Sequence, residues 1–171
     1  MHPNILNLAD VELQSASAER APRGANAGGY DIRWGEIATR IGARKLGYSL
    51  TVVAPGKRNC PFHNHYAEEE MFFILDGSGE LRYGDSRHPL RAGDFIACPT
   101  GGPQTAHQII NTGDVELRYL AVSTMAEIEI CDYPDSGKFG VFAQLSDASG
   151  QARSLRHLAR GDDTRDYWDG E

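Results

Sequence analysis

The sequence predicts an all-β fold, a barrel or a sandwich, and three observations carry that expectation. Short runs rich in β-branched and aromatic residues recur along the chain. Glycine and proline punctuate them, at Pro55-Gly56, Asp76-Gly77-Ser78-Gly79, Gly84-Asp85-Ser86 and Arg91-Ala92-Gly93-Asp94. Helical periodicity is scarce. No internal repeat is present, so the 171 residues read as a single domain with N- and C-terminal extensions.

Taken in order, residues 1–29 are mixed in character, with Leu6, Leu8 and Val11 placed to pack on a neighbour and residues 23–29 reading as loop. Residues 30–34 alternate as a short strand. Residues 37–46 fit neither period, and 40–45 read as a loop feeding a strand. Residues 48–54 are β-branched and apolar, and Pro55-Gly56 stops them. Residues 70–75 form the next strand, the following glycines a hairpin turn, and 80–83 the return. A short strand is expected over 95–98, then a hairpin of 107–111 and 115–124 around Thr112-Gly113-Asp114. Tyr133-Pro134-Asp135-Ser136-Gly137 reads as a turn and 139–145 as a strand. The charged tail 162–171 carries Tyr167-Trp168, large aromatics expected to dock on the barrel or on a partner chain.

Composition narrows the function classes. Apolar residues make up 40%, enough for a core, and 24 acidic against 17 basic residues leave a net charge of −7. Nucleic acid rewards a basic face, so no nucleic-acid role is expected, and the same charge argues against an anionic membrane surface. No apolar run approaches membrane-spanning length. Cys60, Cys98 and Cys131 are odd in number and lack CxxC spacing, so neither a disulfide framework nor a zinc-thiolate site follows. The opening Met1-His2-Pro3-Asn4 lacks a basic region followed by an apolar core, and a cytoplasmic location is the expectation.

The chemistry concentrates between Gly56 and Asn111. His63 and His65 are two apart and point to one side of a strand. Glu70 opens one apolar run and His107 a later one. A small barrel that curls these strands together brings all four side chains to one interior point. Three imidazoles and one carboxylate make an N₃O set without thiolate. That set suits one divalent ion among Fe, Mn, Ni, Co and Zn, and disfavours calcium and iron–sulfur clusters.

The spacing also resembles a known family. Gly56, six residues, His63-x-His65, four residues, Glu70, six residues and Gly77 resemble cupin motif 1, with one extra residue before the first histidine. Gly93, five residues, Pro99-x-Gly101, five residues, His107, three residues and Asn111 resemble cupin motif 2, with a few extra residues before the histidine. More loosely, the His-x-His-x-x-Glu-Glu-Glu run and Tyr133-Pro134-Asp135-Ser136 resemble uncharacterised single-domain bacterial cupins. The resemblance implies an all-β double-stranded β-helix, a jelly-roll barrel. It divides the chain into an N-terminal extension with a short strand (1–45), the cupin core (46–125) and a C-terminal strand and tail (126–171).

Glu68 and Glu69 compete with Glu70 as the ligand, and the gap to Gly77 together with strand alternation selects Glu70. Phe72 and Ile74 then also face inward. Met71, Phe73 and Leu75 face the other way and need a second layer or a partner. Phe62, Tyr119 and Ile109 are candidates for cavity lining or core. Asn111 is expected to anchor a loop, Cys98 to fill the interior, and His2, His88 and His157 to lie at the surface.

The resemblance implies a metal-binding protein with a small-molecule ligand. The first expectation is a metalloenzyme of dioxygenase, decarboxylase or isomerase type. The alternative is a non-catalytic small-molecule or sugar-binding cupin with a structural metal. No motif announces a second acid or base, and Glu80, Glu116, Tyr83 and Tyr119 remain open for that role. Arg82 and Arg118 are expected at the surface. The insertion Gly102-Pro103-Gln104-Thr105 is expected at the cavity mouth, with Gln104 or Thr105 offered to a ligand. A homodimer is expected, burying an outer sheet face or the terminal segments.

Overall fold

The structure is a computed structural model and describes residues 4–15, 22–23, 27–146 and 150–171. Among these residues there is no α-helix, only short 3₁₀ turns between strands. The strands are β1 (Gln14–Ser15), β2 (Ile32–Glu36), β3 (Leu46–Val53), β4 (Asn64–His65), β5 (Glu70–Asp76), β6 (Ser78–Tyr83) and β7 (Ser86–Arg91). They continue with β8 (Phe95–Cys98), β9 (His107–Ile110), β10 (Leu117–Thr124), β11 (Ile128–Tyr133), β12 (Lys138–Ser146) and β13 (Ala152–Arg160).

One layer is a six-stranded sheet in the order β1-β2-β3-β10-β5-β8. Facing it are a sheet β7-β6-β9 and a sheet β13-β12-β11-β4. A single bridge between His63 and His107 joins these two smaller sheets into one interrupted layer. The result is a jelly roll of two facing layers rather than a continuously hydrogen-bonded barrel. Between the layers lies a core of Val53, Phe72, Ile74, Leu81, Leu90, Ile96, Ile109, Leu117 and Tyr119, drawn from both sides.

Two expected hairpins are instead crossings between layers. β5 pairs with β8 and β10, whereas β6 pairs with β7 and β9. Gly77 makes the corner at φ +82, and a Cβ there would lie 2.5 Å from the Glu116 carbonyl oxygen. Likewise β9 pairs with β6 while β10 runs between β3 and β5. Buried Asn111 holds that second corner: its Nδ2 donates to the Val53 and Val115 carbonyls at 2.8 Å each, and its Oδ1 accepts from Gly113 N at 2.9 Å. The glycine and asparagine signals marked chain reversals correctly; a reversal does not fix which strand becomes the neighbour.

Part of the outer face of the large sheet is covered from within the chain. Leu6, Val11, Leu13, Ile37 and Ile41 pack on Tyr48, Leu50, Val52, Leu75 and Leu120. The N-terminal segment thus covers Leu75 of β5, whereas Phe73 packs on Phe95, which is itself 73% exposed, with ring centres 4.4 Å apart. The aromatic tail does not dock on the barrel: Tyr167 and Trp168 are 83% and 72% exposed and pack edge to face on each other. Cys98 is buried, His88 and His157 are exposed, and His2 lies outside the described residues.

Candidate metal centre

The crossing of the layers assembles the four predicted side chains. His63 runs antiparallel to the start of β9, its N–H donating to the His107 carbonyl at 3.3 Å and the His107 N–H donating back at 2.7 Å. His65 sits on β4 opposite Cys131 of β11. Glu70 begins β5 on the facing layer and points inward with Phe72 and Ile74. Fully buried Asn64 braces the β4 segment, donating to the Gly101 carbonyl at 2.8 Å while Gly101 N donates to the His65 carbonyl at 2.8 Å. One ligand atom from each of His63, His65, Glu70 and His107 lies within 4.8 Å of every other.

The outer nitrogens decide what the inner ones can do. His63 Nδ1 lies 2.9 Å from the Pro61 carbonyl and His107 Nδ1 3.2 Å from the Thr105 carbonyl. A carbonyl oxygen only accepts, so both Nδ1 atoms carry the proton and both Nε2 atoms present lone pairs. His65 Nδ1 faces Cys131 Sγ at 3.3 Å and Glu129 Oε2 at 3.7 Å, which directs its Nε2 inward as well. Glu70 Oε2 lies 2.9 Å from His107 Nε2 and 3.2 Å from His65 Nε2, and the latter nitrogen is buried without a hydrogen-bond partner. Lone pairs at such range demand a positive charge among them, a proton or a metal ion, and the donor set fits a divalent ion.

The electrostatics agree. Burial, then the neighbouring His107 and His65, push the His63 pKa down to about 4, leaving its lone pair free. At His65 burial opposes the cation, but Cys131 and the Glu70 carboxylate beside the ring outweigh it and raise the pKa to about 10. At Glu70 burial works against the anion, yet the neighbouring His107 and His65 imidazoles hold its carboxyl well below the usual range. Without metal, the surroundings of His65 favour a proton on its ring.

Three residues at the centre escaped the sequence reading, all on β11. The buried Glu129 carboxylate accepts backbone N–H bonds from Tyr66 (3.0 Å), Ala67 (3.3 Å), Glu68 (2.5 Å) and Ile130 (2.7 Å). It therefore clamps the loop between the ligands His65 and Glu70, besides approaching His65. Cys131 supports the His65 ring, and Tyr133 stacks on His63 with ring centres 6.1 Å apart. The alternation Ile128-Glu129-Ile130-Cys131 marks a strand in the sequence, but its charged member faces inward, so polarity does not point to the centre.

The remaining candidates fall into place. Glu68 is a loop residue, its Oε1 accepting from Ala126 N at 3.0 Å, and Glu69 is exposed. Phe62, Phe72, Ile109 and Tyr119 are buried, and Phe72 lies against His107 with ring centres 5.8 Å apart. Glu80 and Glu116 pair with Arg87 and Arg33. Arg82 is only part exposed, its guanidinium 3.7 Å from the Phe62 ring centre and bidentate to Asp135 at 2.7 and 2.8 Å. The insertion forms a 3₁₀ turn: Thr105 Oγ1 donates to the Gly102 carbonyl at 2.9 Å, and Gln104 lines an outer groove with Tyr83, Gly84, Asp85 and Ser86 rather than the histidine cluster.

Comparison with known proteins gives this geometry a family. Residues 49–123 match the cupin domain family. An uncharacterized protein of Methanocaldococcus jannaschii is 38% identical over 79 residues, 46% of this chain and 60% of that protein. The oxalate-binding protein of Thermotoga maritima is 37% identical over 68 residues, 40% of this chain and 54% of that protein. The chain thus spans little more than half the length of the curated relatives it matches. Among solved structures, a putative sugar phosphate isomerase from Acidithiobacillus ferrooxidans superposes with a TM-score of 0.76 at 23% identity, covering 95% of this chain and 96% of the other. That likeness speaks for the fold. No helix among the described residues is long and apolar enough to cross a membrane. Domain match, two-layer jelly roll and motif register agree: residues 49–123 match the cupin domain family, and the chain has the cupin fold.

Proposed function

We propose that His63, His65, Glu70 and His107 hold one divalent metal ion, among Fe, Mn, Ni, Co and Zn, and that the chain is a metalloenzyme acting on a small organic molecule. The observation that carries this reading is the shared direction of the imidazoles: each Nδ1 is turned to a protein partner, the Nε2 atoms of His65 and His107 face the Glu70 carboxylate, and His63 lies in the same cluster. When bound, such an ion supplies Lewis acidity to a substrate oxygen. The chain's own contributions are positional and electrostatic. Pro61, Thr105, Cys131 and Glu129 fix the imidazole orientations. Glu70 cancels one positive charge, and Phe72 and Tyr119 close the interior side against water.

Isomerisation of a small sugar derivative is the reaction we place first, because the likeness to the putative sugar phosphate isomerase runs over nearly the whole chain. One observation favours binding without turnover. Among the described residues Glu80 and Glu116, the acidic candidates for a second proton-transfer group, are engaged with arginines away from the cluster. The oxalate-binding relative fits that reading. The test is elemental analysis of protein purified without chelator or nickel resin, then assays of isomerisation across sugar phosphates and of dioxygen uptake across small acids. Bound metal with turnover supports the enzyme. Bound metal with saturable ligand binding and no turnover supports the binding protein, and absence of stoichiometric metal rejects both.

A further inference from the structure

Beyond His63 and its stacking partner Tyr133 lies a cavity of about 690 Å³, walled by the N-terminal segment on one side and the β12–β13 hairpin on the other. Its floor contains Cys60, Pro61 and Tyr133, the residues that flank His63. Tyr30, Ile32 and Leu158 give it apolar walls. That volume suits a small metabolite.

The charge of this cavity departs from that of the chain. The protein carries a net charge of −7, yet among the described residues the cavity is lined by Lys138 and Arg156, with Arg23 beside them, and by the carboxylate of Asp31. The β-sheet register explains the concentration. Tyr133 and Lys138 are opposite one another on β11 and β12, and Arg156 on β13 is opposite Phe142. Lys138 Nζ lies 5.7 Å from the Tyr133 ring centre, and the Arg156 guanidinium lies 5.7 Å from that of Phe142. Gly140, between them, leaves the space into which the Phe142 ring folds, since a Cβ there would lie 2.7 Å from Phe142 Cε2. Two aromatic rings thus support two cations on the face turned to the cavity. Among the described residues neither Lys138 nor Arg156 has a carboxylate in ion-pair range, unlike Arg33, Arg82 and Arg87.

We propose that this cavity binds an oxyanion, the phosphate or carboxylate of the substrate, on Lys138 and Arg156 with Arg23 at its rim. The inference rests on the reading of the cluster as the reactive centre. It adds that the substrate is anionic and that its charged end lies outward of His63, past the Tyr133 ring. Lys138 is half-buried and Arg156 exposed, and two cations that converge on one concave, partly apolar wall hold an oxyanion better than the same cations set apart on open surface.

The test titrates the full chain with inorganic phosphate and, separately, with succinate, by calorimetry at fixed ionic strength, as purified and after chelation. The cavity predicts saturable binding of at least one probe in both states, and the preferred probe separates a phosphate from a carboxylate ligand. Lys138→Ala with Arg156→Ala weakens it by about tenfold or more, the scale of a lost charge-assisted hydrogen bond. Lys138→Arg retains it. A control of equal charge change, Arg91→Ala with Arg153→Ala at exposed positions outside the cavity, also retains it. Binding that disappears on chelation or in His65→Ala places the anion on the metal alone; that overturns the cavity site and leaves the metal reading standing. Binding that survives the Lys138/Arg156 double variant, or no saturable binding of either probe, overturns the inference. Cavity binding intact in a protein that takes up no metal refutes the metal reading instead.

Discussion

Strand β5 carries two chemistries along a single inward face. At one end Glu70 sits among three histidines; two and four residues on, Phe72 and Ile74 sit in an apolar core at 4% and 0% exposure. The strand geometry is the same at both ends, so the difference lies in what the facing layer supplies. At the core end, β6 and β9 contribute Leu81 and Ile109. At the metal end, the facing layer is interrupted, and the His63–His107 bridge connects its halves along the backbone. The core end gains stability from the burial of apolar side chains. The metal end buries a carboxylate and imidazoles, which costs free energy unless the charges are matched. The fold spends backbone hydrogen bonds, through Glu129 and Asn64, to hold that arrangement in place.

Truncation at the core end has the largest expected effect on stability. Ile74→Ala should cost about 2–5 kcal/mol of unfolding free energy, measured by denaturant melts, and by the same amount with and without metal. A loss confined to the metal-loaded protein would mean that the two ends are not separate. At the metal end, Glu129→Gln should weaken metal affinity about 10- to 100-fold, the usual cost of losing an outer partner of a ligand. Competition with a chromophoric chelator measures it. An unchanged affinity would make the Glu129 clamp on residues 66–68 irrelevant to the centre.

The ends also differ in their response to pH. In chelated protein, His63 has its pKa lowered to about 4 from 6.5, so it adds stability above pH 6.5 that is lost as pH falls toward 4. His65 has its pKa raised to about 10 from 6.5, so it adds stability below pH 6.5 that is lost as pH rises toward 10. Glu70, held low, adds stability that is lost only below its ordinary value of 4.5. Thermal melts of chelated protein should therefore peak near pH 6.5, and metal should flatten the alkaline side by displacing the His65 proton. Uptake of metal at pH 8 should release about one proton from His65, seen as a buffer-dependent calorimetric enthalpy. A flat profile in chelated His65→Ala above pH 6.5 assigns the alkaline limb.

What the sequence showed and hid follows from the same contrast. The four candidate ligands lie in two short stretches whose glycines and histidines keep a fixed spacing, so their grouping could be read without coordinates. β5 was legible because its residues alternate within an apolar run. Strands at the margins were not. β7 is almost wholly exposed and contains Pro89, and β13 offers little apolar periodicity, as edge strands commonly do. On β11 the alternation is inverted, with Ile128 and Ile130 facing out at 55% and 41% exposure and Glu129 facing in. Polarity alone assigns those faces the wrong way round. The hairpins expected at Gly77 and Asn111 became crossings because partner choice belongs to the layers, not to the turn.

The inverted strand leads to the smallest expected change in fold stability. Ile128, Ile130 and Leu155 form an exposed apolar patch on the outer face of the C-terminal sheet. A homodimer through this face is our expectation, and light scattering should show twice the chain mass at micromolar concentration. Ile130→Arg should shift it to monomer while changing the stability of the chain by about 0.5 kcal/mol or less, the range of a surface substitution. A wild-type monomer would remove the dimer.

The most direct test of the account is metal stoichiometry in the wild type and in His65→Ala, each purified without chelator or nickel resin, with Ile74→Ala as a control for damage to the fold. The account predicts one divalent ion per chain in the wild type and in folded Ile74→Ala, and a sharp loss in His65→Ala. Full occupancy in His65→Ala, with His63, Glu70 and His107 equally dispensable, would contradict it.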